Sequence, residues 1–149
     1  MNIELAYGRT GLLVELPDAV EVLKPKFNPG FSDEVTAIRN ALQNPIGTKP
    51  LADLVKDRDR VVIVHTDITR ATPNDRILPV LIAELEAAGI QPDDIVLING
   101  LGTHRSQTDT ELRTLLGDKI VDNYRCLQHD CYDDSNLVSL GETSLGHPV

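Results

Sequence analysis

The sequence of 149 residues has the length of one ordinary domain, and a composition of 41% hydrophobic and 25% charged residues is typical of a globular, soluble protein. The formal net charge of −9 argues against binding to a nucleic-acid backbone, and 3% aromatic residues with no Trp leave no stacking platform for single strands. No stretch approaches the about 20 apolar residues of a membrane span, and no signal peptide begins the chain, so we expect a cytoplasmic protein without a membrane partner.

The first third of the chain predicts a hairpin and two helices. ELAYGRTGLLVEL predicts two strands with a turn near Gly8 to Gly11, and the Pro/Gly-rich KPKFNPG is a connection. Ser32 is the expected N-cap of a first helix, whose apolar residues from Val35 to Leu42 recur at helical spacing. NPIGTKP ends that helix, and residues 51–55 predict a short second one.

The middle of the chain alternates buried strands with amphipathic helices. A strand at 61–65 precedes a helix from about 74 to 88, and the strand IVLING precedes a helix that opens with the capping box of Thr108 and Glu111. Further strands are expected around 120–127 and 136–140. This order predicts an α/β fold over residues 1–149: a single Rossmann-like, three-layer domain with a mostly parallel sheet and helices on both faces.

Two loops follow the central strands and carry polar groups. They are HTDITRATPN (65–74) and GLGTHRSQT (100–108). In such sheets ligands bind in a crevice at the carboxyl ends of neighbouring strands. An arginine can bind a carboxylate through two hydrogen bonds, and a neutral histidine can take a hydroxyl proton, so the pair suits a small hydroxy acid. The candidate site residues are His104 for catalysis, with Asp67, Thr69, Arg70 and Arg105 for binding substrate or cofactor.

Each candidate also has a simpler interpretation. Asp67 could cap a turn, Arg70 could pair with it at the surface, and His104 could be a solvated loop residue. GLGTHR lacks the third glycine of a dinucleotide fingerprint, and no Walker-type loop occurs. His65 could be a core-edge histidine satisfied by its neighbours. Without an export signal, Cys126 and Cys131 are expected to be reduced thiols. A metal site that joins them to His129 and Asp130 is the weaker alternative, because the spacing matches no standard zinc pattern.

Four stretches of the chain are similar to the N-terminal domain of the lactate racemase family, and together they span nearly its whole length. The family consists of nickel-pincer-nucleotide enzymes that racemise or epimerise 2-hydroxy acids. The stretches are NPIGTKPLADLVK (44–56), DITRATP (67–73), NGLGTHRSQTDTELRTLLG (99–117) and LQHDCYDDSNLVSLGETSLGHPV (127–149). The D-x-T-R-x-x-P and G-x-H-R elements, in this order, are the most specific of the matching motifs.

The resemblance implies a mechanism and a cofactor. In the family, nickel held by a sulfur-containing pyridinium mononucleotide accepts a hydride from the α-carbon of the hydroxy acid, while a histidine takes the hydroxyl proton. By this resemblance His104 matches the acid/base histidine of the N-terminal domain. Arg70 matches an arginine that helps to hold the substrate, and Asp67 the aspartate beside it.

The sequence departs from the family pattern in one respect. The family's second, larger domain carries the other histidine, the lysine tethered to the cofactor and a histidine nickel ligand, and none of its motifs is present here. We therefore expect this chain to need a C-terminal domain as its partner. Alone it should be inactive, with no nickel site and no covalently bound cofactor.

Two other functions remain open from the sequence. One is a stand-alone module that binds a small acid or nucleotide in the same crevice without catalysis. The other is a hydrolase-like metal site built from His65, Asp67 and His104, with His129 as a candidate fourth ligand. A metal titration would separate the second from the racemase hypothesis, because only that site predicts stoichiometric binding abolished by His104→Ala.

Overall fold

A computed structural model describes all 149 residues, and contacts divide them into two units, Met1–Gly30 and Phe31–Val149. The first unit holds β1 (Asn2–Leu5) and β2 (Leu12–Glu15). The second unit holds α1 (Glu34–Gln43), α2 (Leu51–Leu54), β3 (Val61–His65), α3 (Asn74–Ala87), β4 (Ile95–Asn99), α4 (Asp109–Leu116), α5 (Asp118–Asn123) and β5 (Arg125–Gln128).

The first unit is the predicted hairpin. Strands β1 and β2 pair antiparallel, with Asn2 opposite Glu15 and Leu5 opposite Leu12. The turn between them needs backbone that only glycine adopts readily, since Gly8 and Gly11 have φ angles of +56° and +75°. The amide of Gly11 closes the turn by donating to the Tyr7 carbonyl at 3.0 Å.

A parallel three-stranded sheet forms the centre of the second unit, in the order β3-β4-β5. Helix α3 connects β3 to β4, and α4 and α5 connect β4 to β5. The predicted α/β class with a parallel sheet is therefore confirmed. In the register, His65 lies opposite Asn99, and Asn99 opposite Gln128, so the strands end level with one another.

The core lies between the inner face of this sheet and helices α3, α4 and α5. Ile95 and Leu97 of β4 are completely buried, and Leu85 of α3 and Leu116 of α4 are each 1% exposed. Such aliphatic side chains supply the main stabilising term of the domain, since each fully buried one contributes roughly 1.5–3 kcal/mol.

The outer face of the sheet carries no helix. Val62 and Val64 of β3 point to this face and are 56% and 70% exposed, whereas the prediction expected helices on both faces. The reason is topological. Right-handed crossovers between strands laid down in the order β3-β4-β5 put every connecting helix on the same side. Helices α1 and α2 contact α3 and leave this face open.

Two predicted elements near the end of the chain take another form. The strand expected over 120–127 is instead helix α5 followed by β5, because Ile120 packs into the core from the helix and is 3% exposed. The strand expected over 136–140 is wrong. Asp133 accepts hydrogen bonds from Ser135 and Asn136, and this short turn occupies 134–136 with no strand after it.

The helix ends largely follow the sequence signals. The capping box of Thr108 and Glu111 is present at α4, as predicted. At α1 the cap is one residue later than expected, since the Asp33 carboxylate, rather than Ser32, accepts from the Thr36 amide at 3.0 Å. The longest helix, α3, has 14 residues, and none of the helices is both long and apolar enough to pass through a membrane.

The two faces of the sheet should respond differently to loss of side-chain volume. We expect Leu97→Ala to lower the free energy of unfolding by about 2–5 kcal/mol, because it leaves a cavity in the core. The matched change Val62→Ala on the outer face should cost less than about 1 kcal/mol. Urea unfolding of the two variants measures both values, and equal costs would contradict the assignment of the faces.

Candidate functional site

A crevice of about 250 Å³ lies at the carboxyl ends of β3 and β4. Because His65 and Asn99 end the two strands side by side, the loops that follow them meet at one edge of the sheet. These are the two loops that the sequence analysis selected. The residues that line the crevice are Thr66, Asp67, Arg70, Gly100, Leu101, Gly102, Thr103 and His104.

Asp67 is the buried anion of the crevice, with 3% of its surface exposed. Its Oδ1 atom accepts hydrogen bonds from the Thr69 hydroxyl at 2.5 Å and the Thr69 amide at 2.8 Å. Its Oδ2 atom is hydrogen-bonded to Nδ1 of His104. The bonds from Thr69, the hydroxyl above all, and the bond from His104 lower the pKa of Asp67 to about 2, so the carboxylate is ionised at neutral pH.

His104 is oriented by that carboxylate. An ionised carboxylate can only accept, so Nδ1 of His104 must carry the proton of the shared hydrogen bond. In the neutral ring, Nε2 then holds a free lone pair. The His104 side chain is 43% exposed, and its backbone amide donates to the Leu101 carbonyl at 3.0 Å, which fixes the loop. The ring can therefore take a proton from a ligand in the crevice.

Arg70 supplies a positive charge on the rim of the same crevice. Its backbone amide donates to the Asp67 carbonyl at 3.1 Å, which ties the two residues into one turn. Its side chain is exposed and forms no ion pair within the chain, so the surface pair with Asp67 that the sequence left open does not form. The guanidinium is free to bind an anion from solution.

Thr69 and Arg105 are engaged elsewhere, and neither lines the crevice. Thr69 donates the two hydrogen bonds to Asp67 that are described above. Arg105 binds both carboxylate oxygens of Glu111, each at 2.8 Å, and this pairing is the largest cause that lowers the pKa of Glu111 to about 2. A direct role for either residue in binding substrate or cofactor stays a prediction.

Of the residues suggested for a metal, Asp67 and His104 are hydrogen-bonded to each other, but the full set does not form a metal-binding group. No group of three or more His, Cys, Asp or Glu side chains in the structure could hold a metal ion. His65 is 6% exposed, and burial lowers its pKa. Cys126 and Cys131 are free thiols, and burial raises the pKa of Cys126. The donors of this chain therefore do not fit a nickel ion by themselves.

Sequence reasoning missed one residue that shapes the site. Asn74, the first residue of α3, is 5% exposed, and its side-chain amide donates to the Thr66 hydroxyl at 3.2 Å. Thr66 in turn lines the crevice. An Asn beside a helix start is a common capping residue, so the sequence carries no signal that it holds the Asp67 loop.

Comparison with known proteins identifies what the whole chain is similar to. Residues 7–149 match the family model described as the lactate racemase N-terminal domain. Two curated relatives called lactate racemase, from Thermoanaerobacterium thermosaccharolyticum and Lactiplantibacillus plantarum, are each 33% identical over 150 residues. The match covers 97% of this chain and 35% of each relative, so the chain spans about a third of the length of these relatives.

Solved structures give the same result. The structure of the lactate racemase apoprotein from T. thermosaccharolyticum matches 99% of this chain with a TM-score of 0.83 and 31% identity, and the match covers 34% of that chain. A crystal structure of a Thermotoga maritima protein matches 73% of this chain and 24% of that one, with a TM-score of 0.59 and 24% identity. The second likeness shows the fold alone.

The ionised Asp67 should make the stability of the domain depend on pH in acid. Its pKa is lowered from 3.8 to about 2 on folding, so its stabilising effect is complete above pH 3.8 and is lost as the pH falls through 2. We expect Asp67→Asn to flatten the fall in stability between pH 4 and pH 2. Urea unfolding at each pH measures this slope. The matched change Asp93→Asn on an exposed turn should leave the slope as it is, and a slope unaffected by Asp67→Asn would contradict the assignment.

Proposed function

The chain belongs to the lactate racemase N-terminal domain family, and from this premise we propose that it forms one wall of the active site of a 2-hydroxy-acid racemase or epimerase. The observation that carries the proposal is the hydrogen bond between buried Asp67 and His104, with the free guanidinium of Arg70 in the same crevice. These groups suit the two ends of a hydroxy acid.

Arg70 binds the substrate carboxylate in this proposal. A guanidinium has parallel N–H groups that match the two oxygens of a carboxylate, and that of Arg70 has no competing partner in the chain. Arg105, by contrast, already uses both of its terminal nitrogens on Glu111. The crevice of about 250 Å³ suits a small acid.

His104 acts as the general acid and base. Its Nε2 lone pair takes the hydroxyl proton of the bound acid and later returns it. Asp67 keeps the ring in the tautomer that this needs and stabilises the positive charge that forms on it. The Thr69 hydroxyl keeps Asp67 ionised throughout, because it donates to Oδ1 in both states of the histidine.

The hydride part of the reaction lies outside this chain. The nickel-pincer nucleotide that the family resemblance implies would supply the hydride acceptor when bound. The structure has no donor set for nickel, so we assign only the proton and carboxylate roles to the residues described here.

A partner domain would cover the outer face of the sheet in this proposal. The relatives are about three times as long as this chain, and the outer face of the parallel sheet exposes Val62 and Val64. Parallel sheets almost always have both faces covered. We expect the cover to come from polypeptide equivalent to the rest of those relatives.

Intact-mass spectrometry of the protein isolated from its native cells tests whether a partner domain is present. We expect a mass well above 16.3 kDa, the mass of this chain. A native protein of 16.3 kDa that co-purifies with no second polypeptide would contradict the partner and would favour the stand-alone binding module instead.

Racemisation of L-lactate and of larger 2-hydroxy acids by the native protein tests the proposed residues. We expect His104→Ala to lower kcat by about 100-fold or more, because the proton transfer loses its base. We expect Arg70→Gln to raise KM by about tenfold or more, as a charge-assisted pair is lost. The controls are His147→Ala and Arg60→Gln, which lie outside the crevice. Full activity in His104→Ala would refute the acid/base role.

A further inference from the structure

A row of polar side chains lies on the inner face of the sheet, at the carboxyl ends of its three strands. His65, Asn99 and Gln128 are cross-strand neighbours at the carboxyl ends of β3, β4 and β5. His65 is 6% exposed and Asn99 is completely buried. Gln107 is joined to the end of the row through its backbone. Its backbone N–H donates to Oε1 of Gln128 at 2.6 Å, and its backbone carbonyl accepts from Nε2 of Gln128 at 3.0 Å.

Several atoms of this row have no hydrogen-bond partner in the chain. They are Nε2 of His65, both side-chain polar atoms of Asn99, and Oε1 of Gln107. A buried polar atom without a partner costs about 1–3 kcal/mol, so proteins rarely leave such atoms unsatisfied. Several together, on adjacent residues, indicate that the row binds something small and polar.

The other nitrogen of His65 is fully used. Nδ1 lies 3.0 Å from the carbonyl oxygen of Thr66, and a carbonyl can only accept, so Nδ1 carries the proton. In the neutral ring, Nε2 is then an acceptor, and it is buried without a partner in the chain. Thr66 directly precedes Asp67, so the bond from His65 holds the backbone at the start of the loop that carries Asp67.

We propose that His65 is a positioning residue for the Asp67 loop, and that its Nε2 atom binds an ordered water molecule shared with the Asn99 side chain. The hydrogen bond from Nδ1 fixes the Thr66 carbonyl, and the water fixes the ring that makes this bond. The assignment rests on the contacts of this chain alone and does not depend on which reaction the crevice supports.

The chemistry of the row suits water. A water molecule can donate one proton to Nε2 of His65 and accept one from Nδ2 of Asn99, and its second proton can reach Oδ1 of Asn99 or Oε1 of Gln107. This gives it the three hydrogen bonds that buried waters usually make. Adjacent strands lie about 4.8 Å apart, so a single water can span the His65 and Asn99 side chains.

A matched pair of variants separates the two nitrogens of His65. In His65→Asn the side-chain amide replaces Nδ1 and can still donate to the Thr66 carbonyl, but Nε2 is lost. In His65→Gln the amide reaches the place of Nε2, and the donor to Thr66 is lost. The readout is amide hydrogen exchange at Thr69, whose N–H donates to Asp67 at 2.8 Å.

We expect exchange at Thr69 to be about tenfold faster or more in His65→Gln, and at most about twofold faster in His65→Asn, which keeps the donor to Thr66 but loses the water. A general packing role would speed exchange equally in both, and that result would overturn the positioning role. Histidine nitrogen NMR of the unchanged 149-residue chain adds a test that needs no variant. A proton on Nε2 rather than Nδ1 of His65 would also overturn it.

A crystal structure of the same chain at atomic resolution tests whether the proposed water is bound. We expect an ordered water within hydrogen-bond distance of Nε2 of His65 and of the Asn99 amide. In Asn99→Leu this water should be gone, and the thermal midpoint should fall by about 3 °C or more because Nε2 loses its partner. A direct bond between His65 and Asn99, or a dry row, would overturn the water site.

Discussion

The parallel pairing of β3 with β4 is the constraint on which the site depends. Because His65 lies opposite Asn99, the two strands stop at one level, and the loops that follow leave the sheet side by side. Asp67 and His104 are distant in sequence, yet this register lets them share a hydrogen bond. The apolar core beneath, centred on Leu97, holds the register in place, since a slip of one residue would turn the buried side chains of β4 outward.

Burial of one carboxylate sets the chemistry of its neighbours. Asp67 stays ionised at 3% exposure because Thr69 and His104 donate to it. An ionised carboxylate fixes the proton on Nδ1 of His104, which leaves Nε2 able to act as a base. The protein as a whole has a net charge of −9, but the crevice places Arg70, a cation without a partner, beside that base. In the proposed function, this local cation selects an anionic ligand although the overall charge of the protein is negative.

The sequence was sufficient for strands β1 to β4, for the long helix α3 and for the loops that bring Asp67, Arg70 and His104 to one crevice, because each follows from strand ends and helix signals. The sequence could not show that the Arg105 guanidinium binds Glu111 within the chain. That pairing depends on where the α4 capping box places the Glu111 carboxylate. The sequence also could not predict that the outer face of the sheet is uncovered. Strand β3 is apolar on both faces, and its hydrophobic pattern is the same whether one face or both are covered. Residues 120–127 were ambiguous because short apolar runs suit either a helix or a strand.

The most direct test compares two ligands by NMR of the 149-residue chain, with the histidine rings and arginine side chains labelled with nitrogen-15. L-Lactate has both the carboxylate and the hydroxyl group, whereas propionate has only the carboxylate. The account predicts that lactate shifts the signals of Arg70 and of Nε2 in His104, and that propionate shifts only Arg70. Equal shifts of His104 with both acids, or none with lactate, would contradict the claim that this crevice holds the hydroxyl group against a histidine base.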